Sequence, residues 1–533
     1  MKWQSKQELK ELLCSLVNFP SITGSESEVT ISEYLYSLLT DLEYFKIHPD
    51  NVNLHALDDG RKLLTALVKQ EAVSETVILL SHFDVVSTDD YGSLKNYAFD
   101  PELLTETLLK QIEILPSHVQ RDLQNGEWLF GRGTMDMKAG IAVHLSMIEK
   151  AIKGEFKGNI LMVSVPDEEV ESLGMLTALP IVERLQSERE LNYIGCINGE
   201  PTFSKYPGDD QYYLYTGSIG KVLPGFFCYG KETHVGEPFA GLNANLMVSY
   251  LAQEIELNEA FIEKVGDEVT PPPVSLMQRD LKSSYSVQTP TTAVSMYNVL
   301  YLKQSIEEIH QKLRIAANKA SDLIRDHFQE KAKRFSTYNP AFANRNMDVH
   351  VFTYEELYTI AVNRFGEETM RQRQDDLYDE SDTNFPLLQL EDLASLCKDL
   401  APMIVLFYSF PFYPSVSSHA DCKIKDIVSK VQTYAKDKFK ISIEEVEYFP
   451  GMSDLSYIGP ISSGSDLSIF NKNVPTDGLF ERNTDDINSV RVPIINIGPL
   501  GRDPHQWTER LELTFSFERL PEILTYTIHC MFD

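Results

Sequence analysis

Hydrophobic residues at helical spacing open the chain. They predict helices over residues 5–18 and 27–42, with Leu9, Leu12 and Leu16 marking the buried face of the first. The segment between them reads PSITGSES, a loop that ends in the serine and glutamate residues typical of a helix start. The amino-terminal region is therefore predicted to be a pair of amphipathic helices.

Three nearly continuous apolar runs follow, and each ends in polar residues. The runs read VSETVILLSHFDVV, NILMVSVPDEE and YIGCINGEP, and the segment GIAVHLSMIEKAIK between them has helical periodicity. Buried strands that alternate with helices favour an α/β domain with a mixed, mostly parallel sheet sandwiched by helices. Ligands of such sheets gather at the carboxyl ends of the strands, so HFD, DEE and GEP are expected at one edge.

The pattern changes at about Tyr212. The segment YYLYTGSIGKVLPGFFCYG predicts a half-buried antiparallel strand pair, NANLMVSYLAQEIEL a helix, TTAVSMYNVLYL a strand, and the residues from Ser305 to Lys333 a long helix. We interpret this block as an α+β domain inserted into the first. The predicted organisation is a catalytic domain in two parts, 1–211 and 341–533, with a lid or dimerisation domain over 212–340.

Charge and cysteine spacing exclude several classes of function. The 48 basic and 79 acidic residues give a net charge of −31, which argues against nucleic acid and anionic membranes as partners. The amino terminus lacks the apolar run of a signal peptide, and prolines interrupt the longest apolar stretch. Six widely separated cysteines form no CxxC pair, as expected of reduced thiols, so a cytoplasmic location is predicted.

Two segments carry candidate metal chemistry early in the chain. In SHFD, His82 and Asp84 point the same way if the backbone is extended, so that the carboxylate can orient the imidazole toward a metal ion. In GRGTMDMKAG, the glycines permit close backbone approach, and Asp136 precedes a predicted helix. Asp136 then reads as a helix N-cap, and a phosphate-binding loop is the weaker alternative, because the glycine spacing is not that of a P-loop.

Further acids and a histidine lie later in the chain. Asp167, Glu168 and Glu169 follow a buried strand, and three successive acids need a cation, a helix N-terminus or solvent. Glu200 follows the third apolar run, and His505 precedes a carboxy-terminal helix. An acidic helix start remains an alternative for the first cluster.

Taken together, these motifs resemble the zinc metallopeptidase family of aminoacylases, succinyl-diaminopimelate desuccinylase and glutamate carboxypeptidase. The HxD strand end, the GRGxxDMKxG turn, the DEE strand end, the EP turn and the late histidine occur in the order of that family. The likeness covers residues 5–245 and the carboxy-terminal stretch, whereas 246–440 match poorly. Within the family the chain is most similar to arginine-utilisation proteins of the RocB type. The implied fold is that of the co-catalytic zinc exopeptidases.

The resemblance implies a site for two divalent metal ions. Zn²⁺ is the expected ion, and Co²⁺ and Mn²⁺ are the alternatives. Asp136 would bridge both ions. His82 and Glu200 would complete one site, and Glu169 and His505 the other. Asp84 would orient His82, and Glu168 would act as the general base. Relatives carry a cis peptide bond after the bridging aspartate, so the bond between Asp136 and Met137 is expected to be cis.

The resemblance also implies a homodimer formed through the inserted domain. In relatives a histidine in the context THxGxPxxGxNA reaches the partner's active site and stabilises the oxyanion, a role that falls here on His234, with Asn243 in the same stretch. A surface histidine is the alternative. Asp454, in GMSDLSY, is predicted to be either substrate-facing or structural. The lid strand TTAVSMYNVLYLKQ has no arginine to bind a substrate carboxylate.

The sequence thus predicts a zinc-dependent amidohydrolase. Its substrate would be a small amide, either an N-acyl amino acid or a peptide, and the RocB likeness suggests arginine or ornithine metabolism. Two alternatives stay open: a non-catalytic, metal-binding regulatory protein on the same fold, and a monomeric aminopeptidase of the same clan.

Overall fold

Two compact units make up the part of the chain that the computed structural model describes, namely residues 1–206, 208–340, 342, 347–377, 385–462, 467–475 and 490–533. Unit 1 consists of the described residues of 1–219, 416–461 and 486–533. Unit 2 consists of those of 220–415 and 462–485.

An eight-stranded mixed sheet forms the centre of unit 1. In spatial order its strands are Val52–Ala56, Lys62–Val68, Asn159–Val165, Glu75–His82, Asn192–Asn198, Ile494–Asn496, Tyr212–Tyr215 and Ile443–Val446. The four strands from Asn159–Val165 to Ile494–Asn496 are parallel to one another, whereas the flanking strands Lys62–Val68 and Tyr212–Tyr215 pair with them antiparallel. The predicted α/β class with a mixed, mostly parallel sheet is confirmed.

The three apolar runs are the neighbouring parallel strands that carry the polar loops. Asn159–Val165 is buried throughout, and Glu75–His82 is buried at every residue after the first. Parallel pairing places the carboxyl ends of these strands and of Asn192–Asn198 at one edge of the sheet. HFD, DEE and GEP therefore meet at one edge, as predicted.

Helices cover the sheet of unit 1. They span Lys6–Val17, Glu26–Thr40, Glu43–Ile47, Pro101–Lys110, Ser117–Asn125, Ala139–Ile152, Leu173–Glu188, Cys422–Phe439, Leu455–Ile458 and Leu520–Phe532. Apolar side chains of Lys6–Val17, Ala139–Ile152 and Leu520–Phe532 share one core with the sheet. Ala139–Ile152 is buried at nearly every residue, which its almost wholly apolar sequence allows. Two short sheets complete the unit: Gly501–Arg502, Arg510–Glu512 and Trp128–Phe130 form one, Gly217–Ser218 and Val416–Ser417 the other.

Gly140 permits the close approach of Ala139–Ile152 to the turn that carries Glu200. A Cβ atom at Gly140 would lie 2.3 Å from the carbonyl oxygen of Gly199 and 2.8 Å from Cε of Met137. We expect Gly140→Ala to lower the free energy of unfolding by about 1–3 kcal/mol, because backbone must move to relieve the overlap. Urea denaturation followed by circular dichroism measures the change, and an unfolding curve that coincides with the wild-type curve would contradict it.

Unit 2 is built on a five-stranded sheet. In spatial order its strands are Val274–Asp280, Thr292–Tyr301, Gly220–Tyr229, Met403–Tyr413 and His350–Thr353, and only the last pair is parallel. A short hairpin pairs Lys264–Val265 with Glu268–Val269. The helices are Ala244–Ile255, Ile306–Tyr338, Tyr354–Phe365, Glu367–Leu377, Phe385–Leu396 and Ser468–Lys472.

Two features differ from the sequence predictions. The expected antiparallel pair after Tyr212 is instead split, because Tyr212–Tyr215 joins the sheet of unit 1 and Gly220–Tyr229 is the middle strand of unit 2. The insertion was predicted over 212–340, whereas unit 2 comprises the described residues of 220–415 and 462–485. Met403–Tyr413 pairs along its length with Gly220–Tyr229, and this non-local pairing holds residues after 340 in unit 2.

Candidate metal centre

His82 is the first side chain of the candidate site, at the end of Glu75–His82, and it is fully buried. Its Nδ1 lies 3.1 Å from the carbonyl oxygen of Asp84 and 3.4 Å from Oδ1 of the same residue. Its Nε2 lies 3.3 Å from Oδ1 of Asp136 and 3.3 Å from Oε1 of Glu200, with no hydrogen-bond partner among the described residues. One imidazole nitrogen is therefore oriented by Asp84 while the other faces two carboxylates.

Asp136 also faces a second histidine through its other oxygen. Oδ2 of Asp136 lies 3.2 Å from Nε2 of His505, which in turn lies 3.1 Å from Oε2 of Glu169. The side chain of His505 is 49% exposed, whereas the carboxylates of Asp136 and Glu169 are nearly buried. The site is thus open on the side of His505.

These side chains form two groups that could each hold a metal ion. The first is His82, Asp136 and Glu200, and the second is Asp136, Glu169 and His505. Within each group the ligand atoms lie within 4.8 Å of one another. Asp136 belongs to both, as a bridging ligand would. Imidazole nitrogens and carboxylate oxygens suit Zn²⁺ and other borderline divalent ions.

Proton affinities in the cluster fit a cation site. Burial raises the pKa of Glu200 to about 7, although His82 opposes the shift. Burial by itself lowers the pKa of His505, yet its hydrogen bonds to Asp136 and Glu169 raise that pKa to about 11. The raised pKa values of Glu200 and His505 mean that these two side chains favour protons, which a divalent ion would replace, since metal ligands bind deprotonated. The orphaned Nε2 of His82 is the clearest sign that the residues fit such an ion.

Asp84 contacts two parts of the site: the imidazole of His82 and the loop that follows the strand Asn159–Val165. Its Oδ1 accepts a hydrogen bond from the backbone N–H of Glu168 at 3.1 Å, and its Oδ2 accepts one from the N–H of Glu169 at 3.2 Å. The hydroxyl of Thr23 donates a further bond to Oδ2 at 2.8 Å. Burial would raise the pKa of Asp84, but the interactions with His82 and these donors hold it below its usual range. One ionised carboxylate therefore fixes both an imidazole and a loop.

Glu168 lies beside the cluster without a place in either group of ligands. Its Oε2 is 3.8 Å from Nε2 of His82, and its Oε1 is buried without a hydrogen-bond partner among the described residues. Burial, together with the charges of Glu200 and Asp454, raises the pKa of Glu168 well above its usual value, although His82 lowers it. Such a carboxyl group holds a proton readily, which a general acid–base residue requires.

A buried ion pair supports the turn that carries Asp136. The guanidinium of Arg132 lies 2.8 Å from Oε2 of Glu509, and Oε1 of Glu509 accepts a hydrogen bond from the N–H of Met135 at 3.2 Å. The peptide bond between Asp136 and Met137 is cis, as predicted. Ala139–Ile152 has Lys138 at its N-cap position without a side-chain cap. Asp136 therefore faces the histidines and does not cap this helix, so the N-cap interpretation is wrong.

The remaining predicted residues have different surroundings. Asp454 is buried in unit 1 next to the cluster, where burial raises its pKa to about 8 against the opposing effect of His82. His234 and Asn243 belong to unit 2. His234 is exposed and its Nδ1 accepts a hydrogen bond from the N–H of Gly236 at 3.0 Å. Asn243 caps Ala244–Ile255 through the N–H of Asn245.

Sequence reasoning missed the residues that support the site. Arg132 stands inside the quoted GRGTMDMKAG turn, where only the glycines and Asp136 were interpreted, and Glu509 follows His505 by four positions. Their nearness to motif residues is the only signal in the sequence. Two further residues lie in none of the quoted motifs: Arg61, which pairs with Asp167, and Glu28, whose Oε1 accepts the N–H of Asp167.

The chain is similar to known proteins over most of its length. A family model described as Peptidase family M20/M25/M40 matches residues 78–477. The uncharacterized protein YqjN of Bacillus subtilis strain 168 is 49% identical over 539 residues, covering 100% of this chain and 97% of that protein. Protein RocB of the same strain is 30% identical over 538 residues, covering 98% of this chain and 94% of RocB.

Among solved structures, the M20 family metallo-carboxypeptidase Sso-CP2 from Sulfolobus solfataricus has a TM-score of 0.56 at 11% identity and covers 99% of this chain and 100% of its own. At that identity the match supports the fold alone. The similarity to RocB that the sequence predicted is confirmed.

Proposed function

The chain belongs to peptidase family M20/M25/M40, and on that premise we propose that it is a two-metal hydrolase that cleaves the amide bond of a small N-acyl amino acid or peptide. The observation that carries the proposal is the pair of ligand groups that share Asp136. Zn²⁺ is the ion we propose, because the ligands are two imidazoles and three carboxylates.

In this mechanism the bound ions would polarise the scissile carbonyl and lower the pKa of the attacking water. The protein contributes the placement of the ligands and the transfer of the proton. Asp84 fixes His82 through Nδ1, so that Nε2 is directed at Asp136 and Glu200. The buried Asp136, reached by both histidines, sets the spacing of the two ligand groups.

Glu168 is the proposed general base. Its carboxylate is buried. Oε1 has no hydrogen-bond partner among the described residues, and Oε2 lies 3.8 Å from Nε2 of His82. It would take the proton of the attacking water and return it to the leaving nitrogen. The raised pKa of Glu168 supports this role, because the protonated carboxyl group must persist long enough to reach the nitrogen.

The similarity to RocB supports a narrower proposal for the substrate class. The resemblance to arginine-utilisation proteins of the RocB type implies a role in arginine or ornithine metabolism, and the 30% identity over 94% of the length of Protein RocB supports it. Thr292–Tyr301, the strand that corresponds to the lid strand of relatives, contains no arginine. We therefore propose that the substrate is not held by an arginine of this strand. The cytoplasmic location stays a prediction.

The test of this function is a screen of N-acyl amino acids and dipeptides, including amides of arginine and ornithine, with metal analysis of the purified protein. We expect hydrolysis that depends on Zn²⁺, Mn²⁺ or Co²⁺ and is abolished by a chelator and restored by the ion. Protein that binds two ions but cleaves none of these amides would favour the non-catalytic, metal-binding alternative.

We also propose a homodimer formed through unit 2. Val274–Asp280 is an edge strand of the five-stranded sheet and exposes Val274 at 43% and Leu276 at 59%. An edge strand with exposed apolar residues is prone to pair with another chain. In such a dimer His234 would act in the partner's site, where an imidazole N–H would stabilise the oxyanion.

Light scattering is expected to give twice the mass of 60.6 kDa, and Leu276→Lys to shift the protein toward the monomer. We expect His234→Gln to lower kcat by about 10²- to 10³-fold, as for the loss of one oxyanion donor. Mixing His234→Gln with Glu168→Gln protein should then restore part of the activity, because one site of each mixed dimer is intact. A wild-type monomer with full activity would contradict the dimer and favour the aminopeptidase alternative.

A further inference from the structure

The loop that carries Glu168 and Glu169 is held by two buried carboxylates, only one of which belongs to a recognised motif. Asp84 accepts the backbone N–H groups of Glu168 and Glu169. Oε1 of Glu28 accepts the N–H of the preceding residue, Asp167, at 3.2 Å. Three consecutive backbone N–H groups are therefore fixed by acids that come from the loop after Glu75–His82 and from helix Glu26–Thr40.

Asp167 is the anchor of this loop. It has a φ of 70°, in the left-handed region that non-glycine residues rarely adopt. Each of its polar groups is paired: its N–H donates to Glu28, its carbonyl oxygen accepts from the N–H of Ser172 at 2.7 Å, and its Oδ2 accepts from the N–H of Leu173 at 3.0 Å. Its Oδ1 accepts from the guanidinium of Arg61 at 2.7 Å. The surroundings thus specify a conformation that the chain would not otherwise favour.

Arg61 joins Asp167 to Glu28. Nη1 of Arg61, the nitrogen that donates to Asp167, also lies 3.3 Å from Oε2 of Glu28. Nε of Arg61 donates to Asp59 at 2.6 Å. Glu28 is fully buried and also accepts the N–H of Gly24 at 2.5 Å. Burial raises the pKa of Glu28 to about 7, while Arg61 lowers it, so the guanidinium favours the ionised form that accepts these bonds.

We infer that Arg61 and Glu28 are positioning residues of the hydrolytic site, which act through Asp167 on the two carboxylates that follow it. The inference rests on the proposed function for its kinetic part and on the second group of ligands for its metal part. Glu169 belongs to that group with Asp136 and His505, whereas the first group has no residue in this loop. A displaced loop therefore weakens one metal site and misplaces Glu168, and leaves the other metal site intact.

The experiment compares Arg61→Met, Arg61→Lys and Glu28→Gln with a matched control, Lys62→Met. Lys62 is the next residue and the first of the strand Lys62–Val68, and its Nζ lies 2.6 Å from Oε1 of Glu33, which belongs to the same helix as Glu28 but is more exposed. Zinc titration against a chromophoric chelator and steady-state kinetics on an amide that the wild type cleaves are measured for each protein, with the folded fraction from circular dichroism.

For Arg61→Met we expect two quantities to fall by about 10- to 100-fold each: the affinity for zinc at the second group of ligands, which contains Glu169, and kcat. This is the range found when residues that orient metal ligands are removed. The affinity for zinc at the first group, which contains His82, and KM should change little. Arg61→Lys should recover part of both losses, since one ammonium cannot span the three carboxylates that the guanidinium reaches. Glu28→Gln should lower the same zinc affinity and kcat as Arg61→Met does. Lys62→Met should keep the zinc affinities and kcat of the wild type.

The inference is overturned if Arg61→Met and Glu28→Gln bind both zinc ions as the wild type does and keep its kcat per folded molecule, even at a lower melting temperature. If Arg61→Met does not fold, Arg61→Lys and Glu28→Gln decide the question by the same readouts. If the wild type cleaves no amide, the proposed function fails, and the zinc titration alone still tests the positioning of Glu169.

Discussion

Glu168→Gln is expected to lower kcat by about 10³-fold while both metal ions stay bound. The substitution keeps the shape of the side chain but removes its ability to take a proton, and general acid–base catalysis contributes about 10²- to 10⁴-fold. Because Glu168 belongs to neither ligand group, the metal content should not change. Steady-state kinetics on a cleaved amide and metal analysis of the same preparation measure the two quantities.

A matched control for Glu168→Gln is Glu171→Gln. Glu171 lies three positions along the same loop and is exposed, so the same chemical change is made outside the cluster. We expect the control to keep wild-type kcat. Full activity of Glu168→Gln on every amide that the wild type hydrolyses would remove Glu168 from the mechanism, and loss of metal in that variant would make it a ligand instead.

Asp136→Ala is expected to abolish binding of both metal ions at stoichiometric concentration, and activity with them. It is the only described residue shared by the two groups of potential ligands. Glu200→Gln and His505→Ala each affect a single group, so each should keep about one ion per chain. Loss of the ions should cost about 10³-fold or more in kcat, since bound metal ions supply several kcal/mol of charge stabilisation.

Metal analysis after dialysis therefore gives a graded result: two ions for the wild type, one for each single-group variant and none for Asp136→Ala. Asp89→Ala serves as the control, since its side chain is 79% exposed and pairs with Lys95. Two ions retained by Asp136→Ala would contradict the bridging role. One ion per chain in the wild type and none in any of the three variants would indicate a single-metal site.

Much of the site could be predicted because its ligands come from local patterns. Each apolar run ends in a polar residue, and parallel strands bring such ends to one edge, so His82, Glu169 and Glu200 were expected to meet. The order of the motifs then identified a family in which Asp136 and His505 complete the cluster. The geometry brings these five together, while the place of His234 in a partner's site stays a prediction.

The boundaries of the insertion could not be predicted in the same way. The apolar segment Met403–Tyr413 has the composition of a buried strand. That composition suits either sheet, so the local sequence does not indicate which sheet the strand joins. Its pairing with Gly220–Tyr229 across a long stretch of chain places it in unit 2. Non-local strand pairing depends on the packing of the whole unit, which hydrophobic periodicity does not encode.

The sequence by itself determined the fold class, the edge of the sheet where the chemistry lies and the identity of the metal-ligand candidates, because apolar runs, the helical period of 3.6 residues and short motifs are local properties. Only the tertiary structure decided what holds those ligands in place. Arg61 reaches Asp167 across 106 positions and Arg132 reaches Glu509 across 377. Such buried ion pairs form only when distant segments exclude water from between them, and no local pattern records which charges will meet.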